Sequence, residues 1–263
     1  MKIKKIFTFL LTEFIYNGHL QSIGAVAIVN FYNIYIYQSV IDFKFSFAIY
    51  SLFESIFLFD RYLGFKKDKD SNLERTKHIS SYKRFFPQII LFMSIFSLSI
   101  FLEKSLSSFL MAGSILFMGF MYPIYFKSFT KFIYLFKNLY VSGVYAIIVF
   151  FVTNKFQIIP TSYVFLQSMI AQILLDIKDI SSDGKDRLKT FGVLFGKNKA
   201  LQFVLVLIIF SCAFYYQKIF GFIILIDFAI NISSVYLINK NNKSGYLLTA
   251  AKFLPWLLLS VVA

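Results

Sequence analysis

Acid is scarce in this chain: 13 Asp and Glu stand against 27 Lys and Arg in 263 residues. Charge of either sign is thin as well, at 15% of residues, where a soluble globular domain carries about 25%. A chain so poor in charge lacks the polar faces that a soluble core protein needs. The single cysteine, Cys212, excludes a disulfide within the chain; inside its apolar run it reads as a buried, inert thiol. Strand-like alternation of apolar and polar residues is missing, and no separate soluble domain stands out. Helices are therefore the expected spanning element.

What is present is apolar and aromatic. Hydrophobic residues make up 58% and aromatics 21%, with a mean hydropathy of +0.70. Spanning a bilayer takes about 20 apolar residues per helix. Nine runs of that kind are expected, near 12–32, 45–65, 85–103, 107–126, 133–153, 161–180, 199–216, 219–238 and 246–262. They predict an all-α integral membrane protein with residues 1–263 as a single transmembrane domain. Lys2, Lys4 and Lys5 precede the first run, but Glu13, Asn17 and His19 interrupt it, so it reads as a retained element rather than a cleaved signal.

The net charge of +14 would suggest nucleic acid in a soluble protein. Here the basic residues lie between apolar runs, where loops meet anionic lipid, so membrane lipid is the expected partner and nucleic acid is not. With the N-terminus inside, 21 Lys and Arg fall in cytoplasmic segments, and Lys44, Lys104, Lys155 and Lys218 fall outside. That asymmetry predicts an N-in, C-out topology, with both acidic loops on the cytoplasmic side of a multi-pass protein of a bacterial inner membrane.

The few acids are gathered in two places. The denser run is Asp176, Asp179, Asp183 and Asp186, followed by Arg187, Lys189, Thr190 and Gly196. At about 100° per residue, the first three fall within roughly 60° of one another on a continuous helix. The other run holds Asp60, Arg61, Asp68 and Asp70, between the second and third apolar runs. Carboxylates gathered on one face repel one another unless a cation neutralises them. Mg²⁺ suits oxygen ligands and commonly joins one or two carboxylates to the phosphates of a substrate. Two such helix ends facing each other would hold a diphosphate.

The run from Asp176 to Gly196 resembles the second signature of the UbiA superfamily of intramembrane prenyltransferases, D-x-x-D-x-x-x-D followed by T-x5-G. The Asp60 run is similar to the family's first signature, N-D-x-x-D-x-x-x-D, in degenerate form. Phe59 replaces the Asn, Leu63 stands where the next Asp belongs, and the closing Asp is displaced to Asp68 or Asp70. Tyr122-Pro123 and Lys137-Asn138 look like the family's Y-P…K-N segment. The resemblance covers essentially the whole chain. It implies nine helices around a central cavity, with Mg²⁺ and a prenyl diphosphate held by two Asp-rich loops and the prenyl group passed to a hydrophobic acceptor. The residues it implies for metal are Asp60, Asp68, Asp176, Asp179 and Asp183, with Asp60, Asp176 and Asp179 carrying catalysis. Lys137, Arg187, Lys189 and Asn17 are the candidates for the diphosphate. A catalytically inactive relative or a transporter is the main alternative. A CDP-alcohol phosphotransferase is the weaker one, because the later paired acids of that class are missing.

Ionisable residues inside apolar runs are functional candidates by default. His19 reads as a structurally bonded imidazole or a base toward the acceptor. Glu54 reads as an orienting partner for Arg61 or a neighbour. Asp227 and Asn231 read as bundle-facing, with Lys252 as Asp227's partner, and Asp42 as an outer-interface residue.

Overall fold

Inside hydrocarbon, backbone N–H and C=O groups must be satisfied within the chain, which drives apolar runs of this length into helices. The computed structural model describes residues 9, 12–71, 73–153 and 156–258, without the side chains of 66–71 and 152–153. Among the described residues all regular structure is helical. The principal elements are α1 (His19–Tyr37), α2 (Phe43–Ser71), α3 (Leu73–Ser80), α4 (Phe86–Lys104), α5 (Leu106–Met121), α6 (Phe136–Ile147), α7 (Ile158–Lys178), α8 (Ile180–Lys185), α9 (Phe191–Tyr215), α10 (Gly221–Asn239) and α11 (Ser244–Ala250).

Five described stretches are long and apolar enough to cross a membrane: Lys83–Lys104, Leu106–Phe129, Ile158–Lys178, Phe191–Tyr215 and Gly221–Asn239. Leu91, Phe92 and Ile95 on α4 and Val206 and Ile209 on α9 are each at least 60% exposed, while Glu54, Asp176, Asp227 and Lys252 are buried. Apolar side chains outside and ionisable ones inside is the arrangement that lipid as solvent selects. The chain is an integral membrane protein.

Of the other expected runs, the second lies within the unbroken α2, and the first, fifth and ninth are interrupted; the fourth, although among the five, is not regular α-helix throughout. The first bends at Asn17-Gly18 before α1 begins. The fourth passes from α5 into a π turn, Tyr122–Phe126, around Pro123, which has no N–H to donate. The fifth is divided between α6 and Phe150–Thr153. The ninth leaves the α-helix after Ala250 and continues as a 3₁₀ turn, Leu254–Leu258, containing Pro255; its last expected residues lie outside the described ones.

The structure divides into two compact units. The first comprises the described residues up to Val26 with Ile41–Ile124. In it α2 packs on α4 and α5, and α4 on α5. Gly119 permits the α5 approach, since a Cβ there would lie 2.5 Å from the Ile56 side chain. Ser97 Oγ adds a hydrogen bond to the Ala48 carbonyl at 2.8 Å. Exposed Asp42 starts α2, its Oδ1 accepting from the Phe45 N–H at 2.8 Å; such a cap contributes about 1 kcal/mol. Buried Ile79 holds α3 against Leu58, Phe86 and Ile90.

The second unit comprises Ala27–Val40 with the described residues from Tyr125 onward. Its centre is α7, which packs on α6, α9, α10 and α11. Ile170, Ile173, Leu174 and Ile177 recur at helical spacing and meet Ala200, Leu201, Val204 and Ile208 of α9. Cys212 is half-buried, not enclosed as expected; the neighbouring Ser211 takes the inward position and accepts from Gln167 Nε2 at 2.8 Å.

The pairing expected between Asp227 and Lys252 takes another form. Asp227 accepts hydrogen bonds from the Tyr163 hydroxyl and, at 2.9 Å, from Trp256 Nε1. Lys252 Nζ donates to the Gln167 carbonyl at 2.9 Å, to Gln167 Oε1 at 2.8 Å and to Asn231 Oδ1 at 3.0 Å. Each charge has its own set of neutral partners. Both groups are buried, and a buried charge left without such partners is strongly destabilising.

Candidate functional site

The apolar face of α7 ends at Asp176, which is 1% exposed. The spacing predicts that this helix continues through Asp183, but α7 stops at Lys178. Asp179 sits outside the helix at φ −100°, ψ 7°, and α8 restarts at Ile180. The three aspartates therefore do not lie along one uninterrupted helix face. The sequence here is weakly helical, with Ser181, Ser182 and Gly184, and Ser182 Oγ bonds the Asp179 carbonyl at 3.0 Å in competition with the helix ladder. The backbone closes over the break through Asp179 N to the Asp176 carbonyl at 3.0 Å and Asp183 N to the Asp179 carbonyl at 2.7 Å.

The break still leaves Asp176 and Asp183 on one cation. Lys137, in the first turn of α6, places Nζ 2.5 Å from Asp176 Oδ1 and 3.8 Å from Asp183 Oδ2. Asn138 beside it donates from Nδ2 to Asp176 Oδ2 at 2.7 Å. Both Asp176 oxygens are thus occupied. Asp183 Oδ2 is buried and accepts no hydrogen bond. Burial pushes the Asp183 carboxyl above the usual range; Lys137 opposes this, and Asp176 and Asp179 reinforce it.

The remaining second-signature residues shape this corner of the unit. The Lys189 backbone is pinned by its N–H to the Thr130 carbonyl at 2.8 Å and by its carbonyl to the Leu135 N–H at 3.1 Å. That pairing joins the turn after α8 to the turn that leads to Lys137. Gly192 lets α9 approach, since a Cβ there would lie 2.8 Å from Ile180 and 3.5 Å from the Asp176 carbonyl. Gly196, the last residue of the signature, kinks α9 at φ 76°, ψ 168°, a region essentially confined to glycine.

Of the expected basic residues in this unit, Lys137 is the one whose cation lies within 4 Å of an aspartate among the described residues. Arg187 is exposed, in the left-handed region at φ 57°. Lys189 Nζ rests 3.5 Å from the Phe132 carbonyl and 4.5 Å from the centre of the Tyr134 ring. Asp179 is half-buried. Asn138 was not among the expected site residues, although it follows Lys137 in the K-N pair.

In the first unit, Asp60 Oδ2 accepts from the adjacent Arg61 at 3.0 Å, and Arg61 Nε donates to the Tyr16 carbonyl at 3.2 Å. The α2 backbone runs on through Asp68 to Ser71; the Asp68 side chain lies outside the described residues. Asn17 is buried, donates from Nδ2 to Glu13 and to the Tyr82 hydroxyl at 2.7 Å, and leaves Oδ1 without a hydrogen bond. Glu54 does not orient Arg61. It accepts from Ser22 Oγ at 2.7 Å and lies 3.1 Å from His19 Nδ1. His19 in turn bonds the Tyr50 hydroxyl at 2.7 Å. Glu54 is six residues before Asp60, and the turn offset aims it toward α1 instead.

Carboxylate oxygens are the donors that Mg²⁺ takes, and Asp183 Oδ2 is an acceptor with spare capacity. Among the described residues no group of three or more His, Cys, Asp or Glu could hold a metal ion alone. That donor set fits Mg²⁺ in the mode where one or two carboxylates share the ion with water and phosphate.

No protein-family model matches the chain, and no curated protein does. Solved structures do. The chain is similar to an apo UbiA homologue from Aeropyrum pernix K1, at TM-score 0.72 and 13% identity over 92% of this chain and 97% of that one. It is similar to a UbiA homologue from Archaeoglobus fulgidus bound to DMAPP and Mg²⁺, at TM-score 0.61 and 14% identity over 94% and 99%. A structure of digeranylgeranylglyceryl phosphate synthase in membranes aligns at TM-score 0.55 and 15% identity over 97% and 96%. Together with its buried acids and apolar exterior, these likenesses identify the chain as one with the helical fold of the UbiA homologues.

Proposed function

We propose that this protein is an intramembrane prenyltransferase of the UbiA type, which transfers an isoprenyl group from a prenyl diphosphate to a hydrophobic acceptor with Mg²⁺. The observation that carries the reading is Lys137 set between buried Asp176 and half-satisfied Asp183 at the end of an apolar helix. An acid pair with a resident ammonium suits a metal–diphosphate ligand, which brings both a cation for the carboxylates and oxygens for the lysine. The second-signature match and the fold support it, as does the DMAPP and Mg²⁺ carried by one structural neighbour.

In this reading Asp176, Asp179 and Asp183 would supply the carboxylates for Mg²⁺, one or two to an ion shared with water and phosphate, with Asp60 and Asp68 as the first-signature ligands. Bound Mg²⁺ supplies Lewis-acid stabilisation of the departing diphosphate. Lys137 moves its charge from Asp176 to a phosphate oxygen, and Asn138 keeps Asp176 oriented once the lysine has left. Arg187, Lys189 and Asn17 are proposed as further diphosphate contacts. The C–O bond of the donor breaks with its electron pair on the diphosphate, and the allylic carbon bonds to the acceptor, which loses a proton. An aromatic quinone or pigment precursor and a lipid-like alcohol are the acceptor classes. The proposed topology has nine crossings, N-in and C-out, with the site toward the cytoplasm of a bacterial cell, following the 21 cytoplasmic Lys and Arg.

The test is incubation of purified protein with Mg²⁺, labelled prenyl diphosphates of several lengths and membrane extract, followed by identification of labelled lipid. Transfer that depends on Mg²⁺ supports the reading. Absence of diphosphate release with every donor replaces it with a binding or transport role.

A further inference from the structure

Both histidines of the chain converge on one carboxylate in the first unit. Glu13 Oε2 lies 2.6 Å from His78 Nε2 and accepts from the Tyr82 hydroxyl at 2.5 Å. Its Oε1 accepts from Asn17 and lies 3.7 Å from His19 Nε2. Asn17 closes a triangle by donating to the same Tyr82 hydroxyl at 2.7 Å. Burial, reinforced by the Glu13 carboxylate, holds the Tyr82 hydroxyl protonated and so keeps it a donor.

These bonds join distant parts of the sequence. Residues 13–19 reach the start of the first acidic stretch through the Tyr16 carbonyl, which accepts from Arg61, the partner of Asp60. They reach its far end through Tyr16 to Glu74 at 2.9 Å and through Glu13 to His78 and Tyr82. The backbone turns sharply between Glu13 and His19 to do so. Gly18 has φ +104°, and a Cβ there would lie 2.6 Å from Phe57 Cβ. A side chain at that position is thus excluded twice, by conformation and by space.

We propose that residues 13–19 form a clasp that fixes both ends of the first acidic stretch, the Tyr16 carbonyl holding Arg61 beside Asp60 and Glu13 acting as the positioning residue for the far end through His78 and Tyr82. This rests on the prenyl-transfer reading above. The first signature of this chain lacks its Asn and its second Asp, and the clasp holds in place the stretch that carries the remaining acids. Glu13 acts through His78 and Tyr82 and does not itself touch substrate; the bond to Arg61 comes from the Tyr16 carbonyl.

The test compares Glu13→Ala, Glu13→Gln and Tyr82→Phe with the wild type as purified full-length protein. It measures prenyl-transfer kinetics, thermal melting, and backbone amide exchange over residues 73–82 without substrate. Glu13→Ala is expected to raise KM for prenyl diphosphate by about tenfold, the low end for loss of an orienting partner, with kcat within about threefold. Its exchange over 73–82 rises while the global melting midpoint stays near wild type. Glu13→Gln recovers most of the KM, because its amide oxygen still accepts from Tyr82. Tyr82→Phe, which removes the hydroxyl's two hydrogen bonds and opens no large cavity, shifts KM and exchange the same way by less.

Wild-type KM and exchange in Glu13→Ala overturn the clasp. So does a fall in kcat and melting midpoint together with no rescue by Gln, which marks general destabilisation. If the wild type transfers no prenyl group, the functional reading fails and the exchange arm decides the clasp alone: faster exchange confined to 73–82 supports it, and unchanged exchange overturns it.

Discussion

The two acidic clusters contain similar residues but satisfy them in different ways. In the second unit, Asp176 is neutralised by Lys137, 39 residues away in sequence, and Asp183 shares the same ammonium at 3.8 Å. The cation arrives on a different helix and is 20% exposed at its side chain. In the first unit, Asp60 is neutralised by the next residue, Arg61, whose guanidinium is held in turn by a backbone carbonyl. A long-range ammonium on a flexible stem is easily redirected to a phosphate; a locally tethered guanidinium is a fixed point. The second cluster is therefore built to exchange partners, and the first is built to stay in place.

Substitutions separate the two. Asp176→Ala should have the largest effect, abolishing Mg²⁺-dependent prenyl transfer by at least about 10³-fold, the scale for losing a principal charge-stabilising group. It also removes the nearer of the two aspartates facing Lys137 and the acceptor of Asn138 Nδ2, so Asp179→Ala, which should inactivate without that cost, is the cleaner companion. Full activity in either would remove the second cluster from the site. Asp60→Ala should cost less, about tenfold to a hundredfold, as expected for a group tied to its own neighbour. Equal losses at Asp60 and Asp176 would erase the contrast.

The pH dependence sharpens the same point. The Asp183 carboxyl is raised, so it stays protonated to higher pH than an ordinary aspartate, and its charged form is needed for metal. The acid limb of the pH–rate profile should therefore lie above the usual carboxylate range. Raising Mg²⁺ should move that limb to lower pH, because a nearby cation favours the ionised form. A limb that stays put with Mg²⁺ detaches Asp183 from the metal. For folding the sign is opposite: the raised carboxyl favours the folded state at acid pH, and that contribution is lost as pH rises through its folded value.

The smallest effects come from the glycines. Gly196→Ala forces a side chain into φ 76° and should cost about 1–3 kcal/mol, read as a lower melting midpoint. Gly184→Ala meets nothing within 4 Å and should leave that midpoint unchanged. Matching behaviour of the pair would show that Gly196 is not held in its kink.

Much of this was legible in the chain. Helical class follows from missing alternation and long apolar runs; the acidic spacing singles out Asp176 and Asp183, which share Lys137, and the signature resemblance points to Gly196, which kinks α9. What spacing missed was contact. Nothing in the order of residues marks Asp179 as a break, because weak helix formers are tolerated in many helices and the competing Ser182 bond is a three-dimensional event. Glu54 reads as a partner of Arg61 or a neighbour, and it is neighbours on α1, Ser22 and His19, that it meets. Asp227 and Lys252 do attract one another, as their charges predict, but each completes its hydrogen bonds with neutral dipoles, Tyr163 and Trp256 for the one and Gln167 and Asn231 for the other. Interruptions such as the turn at Tyr122–Phe126 depend on neighbouring helices re-satisfying the freed backbone.

Lys137 has one more consequence. An acid pair that already carries its own counter-ion behaves as an ion exchanger and not as an empty cup. A free divalent ion drawn to the spare Asp183 oxygen meets the ammonium held at Asp176 and is repelled by it, so Mg²⁺ alone gains little. A diphosphate alone must compete with Asp176 for the same ammonium. Arriving together, each ligand supplies the charge that the other removes. On the proposed function, metal and donor should bind with strong mutual dependence, and loading of the site becomes a swap of salt-bridge partners that leaves the net charge at the membrane surface almost unchanged.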